Sequence, residues 1–428
     1  MSRYVIEGGE RLEGRIRPAG NKNAVLPILA GCLLTEERVR LSNVPDIRDV
    51  HTLIELMRRL GAGVEWTGEG EVAVEAASLE RKAIPEDLAG RIRASILLAG
   101  PLLARLGHLE LPPPGGDVIG RRRVDTHFLA LSRLGAEVEA GQSYVLRAKR
   151  LEGAEVFLDE PSVTGTENAI LAAVLADGTT RLRNAAREPH VQDLCRFLNG
   201  LGAEVEGIGT HQLTIHGVDR LGGGEHRVCT DHVEVGSFIG LAAVTDSEVT
   251  IEEEPPLPYL DTLRIGFQKL GVTWSVRDDG IHVPAGQGLE IQTDLGDQIP
   301  KIDDGPWPAF PADLMSIVLV VATQCRGTIL IHEKMFESRM FFVDKLVGMG
   351  ARIVLCDPHR AVVIGPSRLY GSELESPDIR AGMALLLAAM AAEGRSEIHN
   401  IRQIERGYQD LEARLTALGA RIEKRDGE

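Results

Sequence analysis

The sequence predicts an α/β protein of two lobes, each built from three repeated units. Three observations carry this. A short signature recurs six times in 428 residues: LGAGVEW from Leu60, LGAEVEA from Leu134, LGAEVEG from Leu201, LGVTWSV from Leu270, MGARIVL from Met349 and LGARIEK from Leu418. The copies are 74, 67, 69, 79 and 69 residues apart, so one unit is about seventy residues long. No Pro-rich or Ser-rich linker interrupts the series. Solenoid repeats run about 20 to 50 residues, so two compact lobes are expected rather than a solenoid.

Each signature follows an amphipathic run, such as HTLIELMRRLGA or QDLEARLTALGA, and precedes alternating residues. That order reads as a helix, a glycine C-cap and a strand. A second helix opens every unit: NKNAVLPILAGCLL from Asn21, RASILLAGPLLARLG from Arg93, SVTGTENAILAAVLADG from Ser162, VEVGSFIGLAAVTD from Val233, PADLMSIVLVVATQ from Pro311 and DIRAGMALLLAAMAAEG from Asp378. These runs are apolar nearly all round, which predicts burial. Strand-like segments such as TTRLRNAA and RSEIHNI follow them, so the unit reads helix, strand, helix, strand, strand.

Composition narrows the function classes. Lys and Arg number 47 against 63 Asp and Glu, a formal net charge of −16. Such a chain is a poor partner for nucleic acid or an anionic membrane, which need a basic face. The five cysteines, Cys32, Cys195, Cys229, Cys325 and Cys356, form no CxxC pair and no zinc-spaced cluster, which argues against a disulfide framework or structural metal and fits a reducing cytoplasm. The amino-terminal residues lack an apolar h-region, and apolar stretches such as 381–392 are too short to span a bilayer. There is no P-loop, no GxGxxG after a strand and no HExxH, so nucleotide hydrolysis, dinucleotide redox chemistry and zinc hydrolysis lose their usual support.

Against that acidic background the basic residues are placed regularly. Arg48, Arg122, Arg187, Arg339 and Arg406 lie 13, 13, 15, 11 and 13 residues before the glycine of the signature, at strand-to-helix junctions. The starts of the buried helices carry Lys22 and Asn23, Arg93, Ser162, Asp313, and Asp378 with Arg380. Helix N-termini bind anions, so basic residues there imply a shared anion. For Lys22, Arg93, Arg122, Arg339, Arg380 and Arg406 a focused site for a multiply anionic ligand is expected. Arg48 and Arg187 read equally well as surface charges, and helix capping is a strong rival role for Asp313 and Asp378. The loop LPPPGGDVIGRRRVD, residues 111–125, has glycines suited to be hinges of a mobile lid and an acid, Asp117, five residues before Arg122.

Several of these segments together carry a resemblance: GNKNAVLPILA around Lys22, RASILLAGPLLAR at Arg93, PGGDVIGRRRVDTH at Asp117, SVTGTEN at Ser162, NAAREP at Arg187, FPADL at Asp313, FESRM at Arg339, DIRAG at Arg380 and ERGYQDLEARL at Arg406. Over essentially its whole length the chain resembles the UDP-N-acetylglucosamine 1-carboxyvinyltransferases, a family of enolpyruvyl transferases. The resemblance implies a two-lobed inside-out α/β barrel of six βαβαββ units, with one lobe at 22–229 and the other at 1–21 plus 230–428, closing over a cleft. It implies transfer of the enolpyruvyl group of phosphoenolpyruvate to the 3-hydroxyl of UDP-N-acetylglucosamine, with loss of phosphate through a tetrahedral intermediate and no metal or organic cofactor. The setting would be the cytoplasm, in cell-wall biogenesis that supports cell shape and division.

Residue by residue, the resemblance puts Lys22, Arg122 and Arg406 at the phosphate of phosphoenolpyruvate and Arg339 and Arg380 near its carboxylate. Asn23, Arg93, Arg122, Arg123, Val124, Asp125, Thr126, Ser162, Val163 and Met335 map to the nucleotide sugar, and Asp313 to the base that takes the hydroxyl proton. Asp117 stands where the family most often has a cysteine that delivers a proton and is alkylated by fosfomycin, so fosfomycin resistance is expected. Arg123 replaces a usual proline, Pro112 to Pro114 are an unusual run, and His190 and His232 stand where other charged residues are common. Another enolpyruvyl transferase, such as one acting on shikimate 3-phosphate, and a non-catalytic UDP-sugar-binding paralogue remain as alternatives, and the oligomeric state is open.

Overall fold

The computed structural model describes residues 2–80, 83–116, 119–120, 123–255 and 257–426. Asp117 and Arg122, both singled out above, lie outside the described residues. The chain divides into two compact units, Gly20–Asp117 with Arg122–Thr230, and Met1–Ala19 with Val118–Arg121 and Asp231–Glu428.

The first unit contains helices α1 (Lys22–Gly31), α2 (Arg48–Arg59), α3 (Glu86–Ala89), α4 (Ala99–Leu106), α5 (Asp125–Arg133), α6 (Val163–Ala173) and α7 (Pro189–Gly200). The second contains α8 (His232–Val244), α9 (Leu260–Phe267), α10 (Met315–Gln324), α11 (Val343–Gly348), α12 (Ile379–Ala391) and α13 (Leu411–Ala417). The helices that read as apolar all round are the inner ones: every residue of α8 is buried, and α6, α10 and α12 are buried almost throughout. The amphipathic helices follow one strand later, as α2 does with Val50, Leu53, Ile54, Leu56 and Met57 turned inward and Arg58 and Arg59 in its last turn. Each unit has its own hydrophobic core, one around α1, α4 and α6 and one around α8, α10 and α12.

Small residues let the inner helices approach. A Cβ on Gly100 of α4 would stand 2.7 Å from the carbonyl oxygen of Asn168 and 3.0 Å from Cβ of Leu171 on α6, so only glycine fits there. The run from Arg93 is not one continuous α-helix. Arg93–Leu98 is a 3-10 segment and α4 starts at Ala99. Pro101 then falls in the first turn of α4, where its missing N–H would have had no intrahelical partner.

Outside the inner helices, the described residues form five four-stranded sheets and one of three strands. In the four-stranded sheets one edge pair is parallel and the other pairings are antiparallel. Two parallel pairings reach far along the chain: Glu13–Ile16 lies beside Glu248–Ile251, and Gly224–Arg227 lies beside Val39–Ser42. The first pairing makes 1–19 part of the later unit although that segment precedes the earlier one, and the second ties 224–227 to the start of the earlier unit. The three-stranded sheet, His108–Leu111, Glu137–Ala140 and Tyr144–Arg147, lacks the parallel edge strand. At that edge Ile84 N–H donates to the Glu110 carbonyl at 3.3 Å, and the next residue, Pro85, has no N–H to extend a ladder.

Candidate active site

In both units the first turns of the inner helices gather the polar residues. In the second unit Asp313 sits in a 3-10 turn, Ala312–Leu314, just before α10, and the residue at the N-cap of that turn is Pro311, which offers no side-chain cap. Its carboxylate is gripped from two sides. Arg339 Nη2 donates to Oδ1 at 2.6 Å, and Arg380 donates to Oδ2 through Nε at 3.2 Å and approaches through Nη2 at 3.1 Å. Both guanidiniums are buried, which alone would lower their pKa, but the Asp313 charge holds them above the usual arginine range. Asp378 takes the capping role that was a rival for both acids: it accepts from the backbone N–H groups of Arg380 and Ala381 and so starts α12.

A hydrogen-bonded chain fixes Arg380 further. Its Nη1 donates to Tyr408 Oη at 3.1 Å, Tyr408 Oη meets Ser237 Oγ of α8 at 2.9 Å, and Ser316 Oγ of α10 donates to the Arg380 carbonyl at 3.1 Å. Residues of three inner helices therefore converge on Arg380, α8 through Tyr408 and α10 at its backbone carbonyl. Arg339 stacks over Phe336, its guanidinium carbon 4.8 Å from the ring centroid. His232 opens α8, buried edge-on to Trp307 at 5.6 Å. Burial pushes its pKa down to about 4, the Asp313 charge opposing and Arg380 adding, so the ring is neutral at pH 7. Arg406 ends the short 3-10 turn Ile404–Arg406 and donates to Gln403 Oε1 at 3.2 Å. Met335 is 40% exposed, on the segment that leads to Arg339.

In the first unit Asn21 caps α1 and Lys22 is its first residue. Lys22 Nζ lies 2.8 Å from Asp49 Oδ2 in the first turn of α2, and both side chains are nearly buried. Asn23 is partly exposed beside them. Arg93, at the start of its 3-10 segment, donates to the Arg123 carbonyl at 2.7 Å, while the Arg123 side chain pairs with Asp125. Thr126 Oγ1 donates to Asp159 Oδ1 at 2.6 Å. Ser162 caps α6, which Val163 begins, by accepting from Gly165 N–H at 3.2 Å. Val124 precedes α5 and packs partly buried against the core.

Sequence reasoning missed several buried polar residues here. Asn168 Nδ2 donates to His127 Nδ1 at 2.7 Å, and His127 Nε2 lies 3.0 Å from Thr164 Oγ1. Asn168 Oδ1 accepts from Gly100 N–H at 2.8 Å, which fixes the amide orientation and hence the imidazole tautomer with its proton on Nε2. Glu167, next to Asn168 in the chain, is fully buried, and burial with the Glu188 charge raises its pKa well above the usual carboxylate value. Asp49 had a signal: it shares the inward stripe of α2 with Leu53, Leu56 and Met57, and an acid on an apolar stripe implies a buried cation partner. Of the arginines at the junctions, Arg339 joins the Asp313 cluster, whereas Arg48 is the first residue of α2 with an exposed side chain. Among the described residues no group of three or more His, Cys, Asp or Glu side chains is placed to hold a metal ion, and no helix is long and apolar enough to cross a membrane.

This arrangement can be set beside known proteins. The family model for EPSP synthase (3-phosphoshikimate 1-carboxyvinyltransferase) matches residues 6–415. A UDP-N-acetylglucosamine 1-carboxyvinyltransferase of Bradyrhizobium diazoefficiens is 61% identical over 98% of this chain and 97% of its own. One of Treponema denticola is 55% identical over the whole of both chains. The chain belongs to the UDP-N-acetylglucosamine 1-carboxyvinyltransferase family. It is an enzyme of the enolpyruvyl transferase class. Among solved structures, the enolpyruvyl transferase NikO from Streptomyces tendae superposes with a TM-score of 0.88 at 26% identity, covering 100% of this chain and 99% of that one. EPSP synthase from Acinetobacter baumannii, at 17% identity and a TM-score of 0.75 over the full length of both, shows the same fold. The fold is thus the two-lobed inside-out α/β barrel expected of a UDP-N-acetylglucosamine 1-carboxyvinyltransferase.

Proposed function

We propose that the chain transfers the enolpyruvyl group of phosphoenolpyruvate to the 3-hydroxyl of UDP-N-acetylglucosamine and releases phosphate, the first committed step of peptidoglycan precursor synthesis in the cytoplasm. The observation that carries the mechanism is the Asp313 carboxylate held between two buried guanidiniums. A carboxylate bound by two arginines is a weak base. When the carboxylate of phosphoenolpyruvate takes over Arg339 and Arg380, Asp313 loses charge partners and gains basicity, so it becomes competent as its acceptor hydroxyl arrives.

In this reading Asp313 removes the proton of the 3-hydroxyl while the oxygen bonds to C2 of phosphoenolpyruvate. Asp117 delivers a proton to the C3 methylene, giving a tetrahedral intermediate. Loss of a C3 proton and of phosphate then leaves the enolpyruvyl ether. Lys22, Arg122 and Arg406 hold the phosphate, and their charge stabilises it as it leaves. Asn23, Arg93, Arg122, Arg123, Val124, Asp125, Thr126, Ser162, Val163 and Met335 hold the nucleotide sugar. The cytoplasmic setting is supported by five cysteines, none of them in a disulfide.

Phosphate release from phosphoenolpyruvate, with UDP-N-acetylglucosamine and shikimate 3-phosphate offered separately, tests the assignment. Release is expected with the first alone. Release only with shikimate 3-phosphate would reassign the acceptor, and none with either would favour a non-catalytic sugar-nucleotide binder.

A further inference from the structure

Two segments of the second unit, 304–313 and 333–339, are tied together at both ends. At one end stands the Asp313–Arg339 pair, at 2.6 Å. At the other stand two buried acids, Asp304 and Glu333. The strands Lys301–Asp303 and Gly327–His332 run parallel with Asp303 opposite His332, so the next residues, Asp304 and Glu333, emerge side by side. Glu333 is 0% exposed and Asp304 2%. The Glu333 backbone is pinned on both sides by His359, whose carbonyl accepts the Glu333 N–H at 2.8 Å and whose Nδ1 lies 2.8 Å from the Glu333 carbonyl.

The two side chains then shape the turn that follows. Asp304 accepts from Lys334 N–H at 2.5 Å and Met335 N–H at 3.3 Å, and Glu333 Oε1 accepts from Met335 and Phe336 N–H at 3.3 and 3.2 Å. Glu333 Oε2 is buried and, among the described residues, reaches no N–H or O–H donor. The two carboxyls meet at the Met335 N–H, Asp304 Oδ2 and Glu333 Oε1 each 3.3 Å from it, so the two side chains stand within hydrogen-bonding reach of each other. Two carboxylates so placed repel and cannot hydrogen-bond, whereas one proton between them makes the contact attractive.

We propose that Asp304 and Glu333 share one proton, and that this pair is a positioning element that holds the 333–336 turn and through it Met335, Phe336 and Arg339. Burial, then the Asp304 hydrogen bond and charge, push Glu333 up to about 9, so the proton is held at neutral pH. Among the described residues the charges facing the pair are few. Arg339 opposes the rise, His359 meets it through backbone and ring, and Lys334 is drawn outward to Asp303, which also pairs with Lys301. His332 of the adjoining strand is itself held below its usual pKa by burial and by Lys334. Loss of the shared proton at high pH would put two carboxylates together and release the turn under Arg339. The effect on catalysis rests on the reading of Arg339 as a substrate-binding residue; the shared proton does not.

Two measurements separate these. Unfolding by urea from pH 5 to 10 compares the wild type with Glu333→Gln, whose amide donates to Asp304 at every pH. The wild type should lose stability relative to the variant progressively up to about pH 9 and then level off, since its folded form keeps a proton the unfolded chain has released. A pH-independent difference would overturn the shared proton. In the transfer assay Glu333→Gln should keep kcat/KM within about threefold at pH 7 and lack the wild-type fall near pH 9, while Glu333→Ala should lose tenfold or more. Glu333→Gln as impaired as Glu333→Ala at pH 7, or an alkaline fall identical in Glu333→Gln and wild type, would overturn the positioning role.

Discussion

Asp313 and Arg380 stand 67 positions apart in the chain yet meet at 3.1 Å, each at the start of a buried helix. The contact exists because α10 and α12 pack side by side with their first turns at the same end, Ser316 of one bonded to the Arg380 carbonyl of the other. The carboxylate proposed as the base is thereby placed on rigid scaffold rather than on a loop, and its charge partners are the two arginines proposed to bind the substrate carboxylate.

Removing that carboxylate should therefore do two things. Asp313→Asn keeps the shape and loses the base, so kcat should fall by at least about a hundredfold, the lower part of the range for general-base removal. Asp313→Ala should also destabilise the protein by about 3 kcal/mol, because two buried guanidiniums lose their shared anion. Urea unfolding of the two variants checks the second effect. Equal stability of Asp313→Ala and the wild type would show that the pair does not hold the second unit together.

Arg93 should behave differently. Its guanidinium bonds to the Arg123 carbonyl at 2.7 Å and so braces the segment assigned to the uridine end of the nucleotide. Arg93→Ala should raise the KM for UDP-N-acetylglucosamine about tenfold with kcat nearly unchanged, as expected when binding is lost equally from ground and transition states. An unchanged KM would take Arg93 out of the nucleotide site.

How much of this was legible follows from what each residue type can and cannot signal. The six LGA-like signatures end six helices because a glycine with positive φ is needed where a helix turns into a strand, as at Gly61, Gly135, Gly202, Gly271, Gly350 and Gly419. That is a local requirement, so it shows in local sequence. The inner helices were legible for the same reason, being apolar on every face. Asp313 and Asp378 were not separable, since each is an acid at the start of an apolar run. Only the packing of α10 against α12 decides that one caps and the other meets two arginines. Asp304 and Glu333 were missed because their pairing depends on strand register across two segments, and nothing near either acid in sequence marks it. His127 and Asn168 were missed likewise, although polar residues such as Glu167 and Asn168 leading straight into the apolar run AILAA were a visible sign of buried partners.

The His127 network gives the stability a pH signature. Burial, then the Arg93 charge, push its pKa down to about 3, and Nδ1 accepts from Asn168, so a second ring proton would face another donor. Because the folded pKa lies below the unfolded value of about 6.5, the unfolded chain takes up the proton first as pH falls. The contribution is fully present above pH 6.5 and is lost towards pH 3, at about 1.4 kcal/mol per pH unit. Urea unfolding between pH 7 and 4.5 should show this slope as the difference between wild type and His127→Asn. Parallel curves would mean that the folded protein accepts the proton at its usual pKa.

Asp117 lies outside the described residues, at the position where the sequence resemblance places the cysteine usual in the family. An epoxide such as fosfomycin is opened readily by a thiolate and far more slowly by a carboxylate. None of the five cysteines falls in the 111–125 loop. Burial raises the pKa of the Cys32, Cys195 and Cys325 thiols, the last two to about 12, which keeps them protonated, and the exposed thiol is Cys356 on the strand Arg352–Asp357. Fosfomycin at millimolar concentration should leave phosphate release unchanged, and iodoacetamide should modify Cys356 without loss of turnover. Asp117→Cys should keep activity, since a thiol can also carry the proton to the enol carbon, and should become rapidly inactivated with one covalent adduct by mass spectrometry. Asp117→Asn cannot donate that proton and should lose turnover by about a hundredfold or more. Rapid covalent inactivation of the unaltered protein, or full activity of Asp117→Asn, would remove Asp117 from proton delivery and reopen which group in the loop meets the methylene carbon.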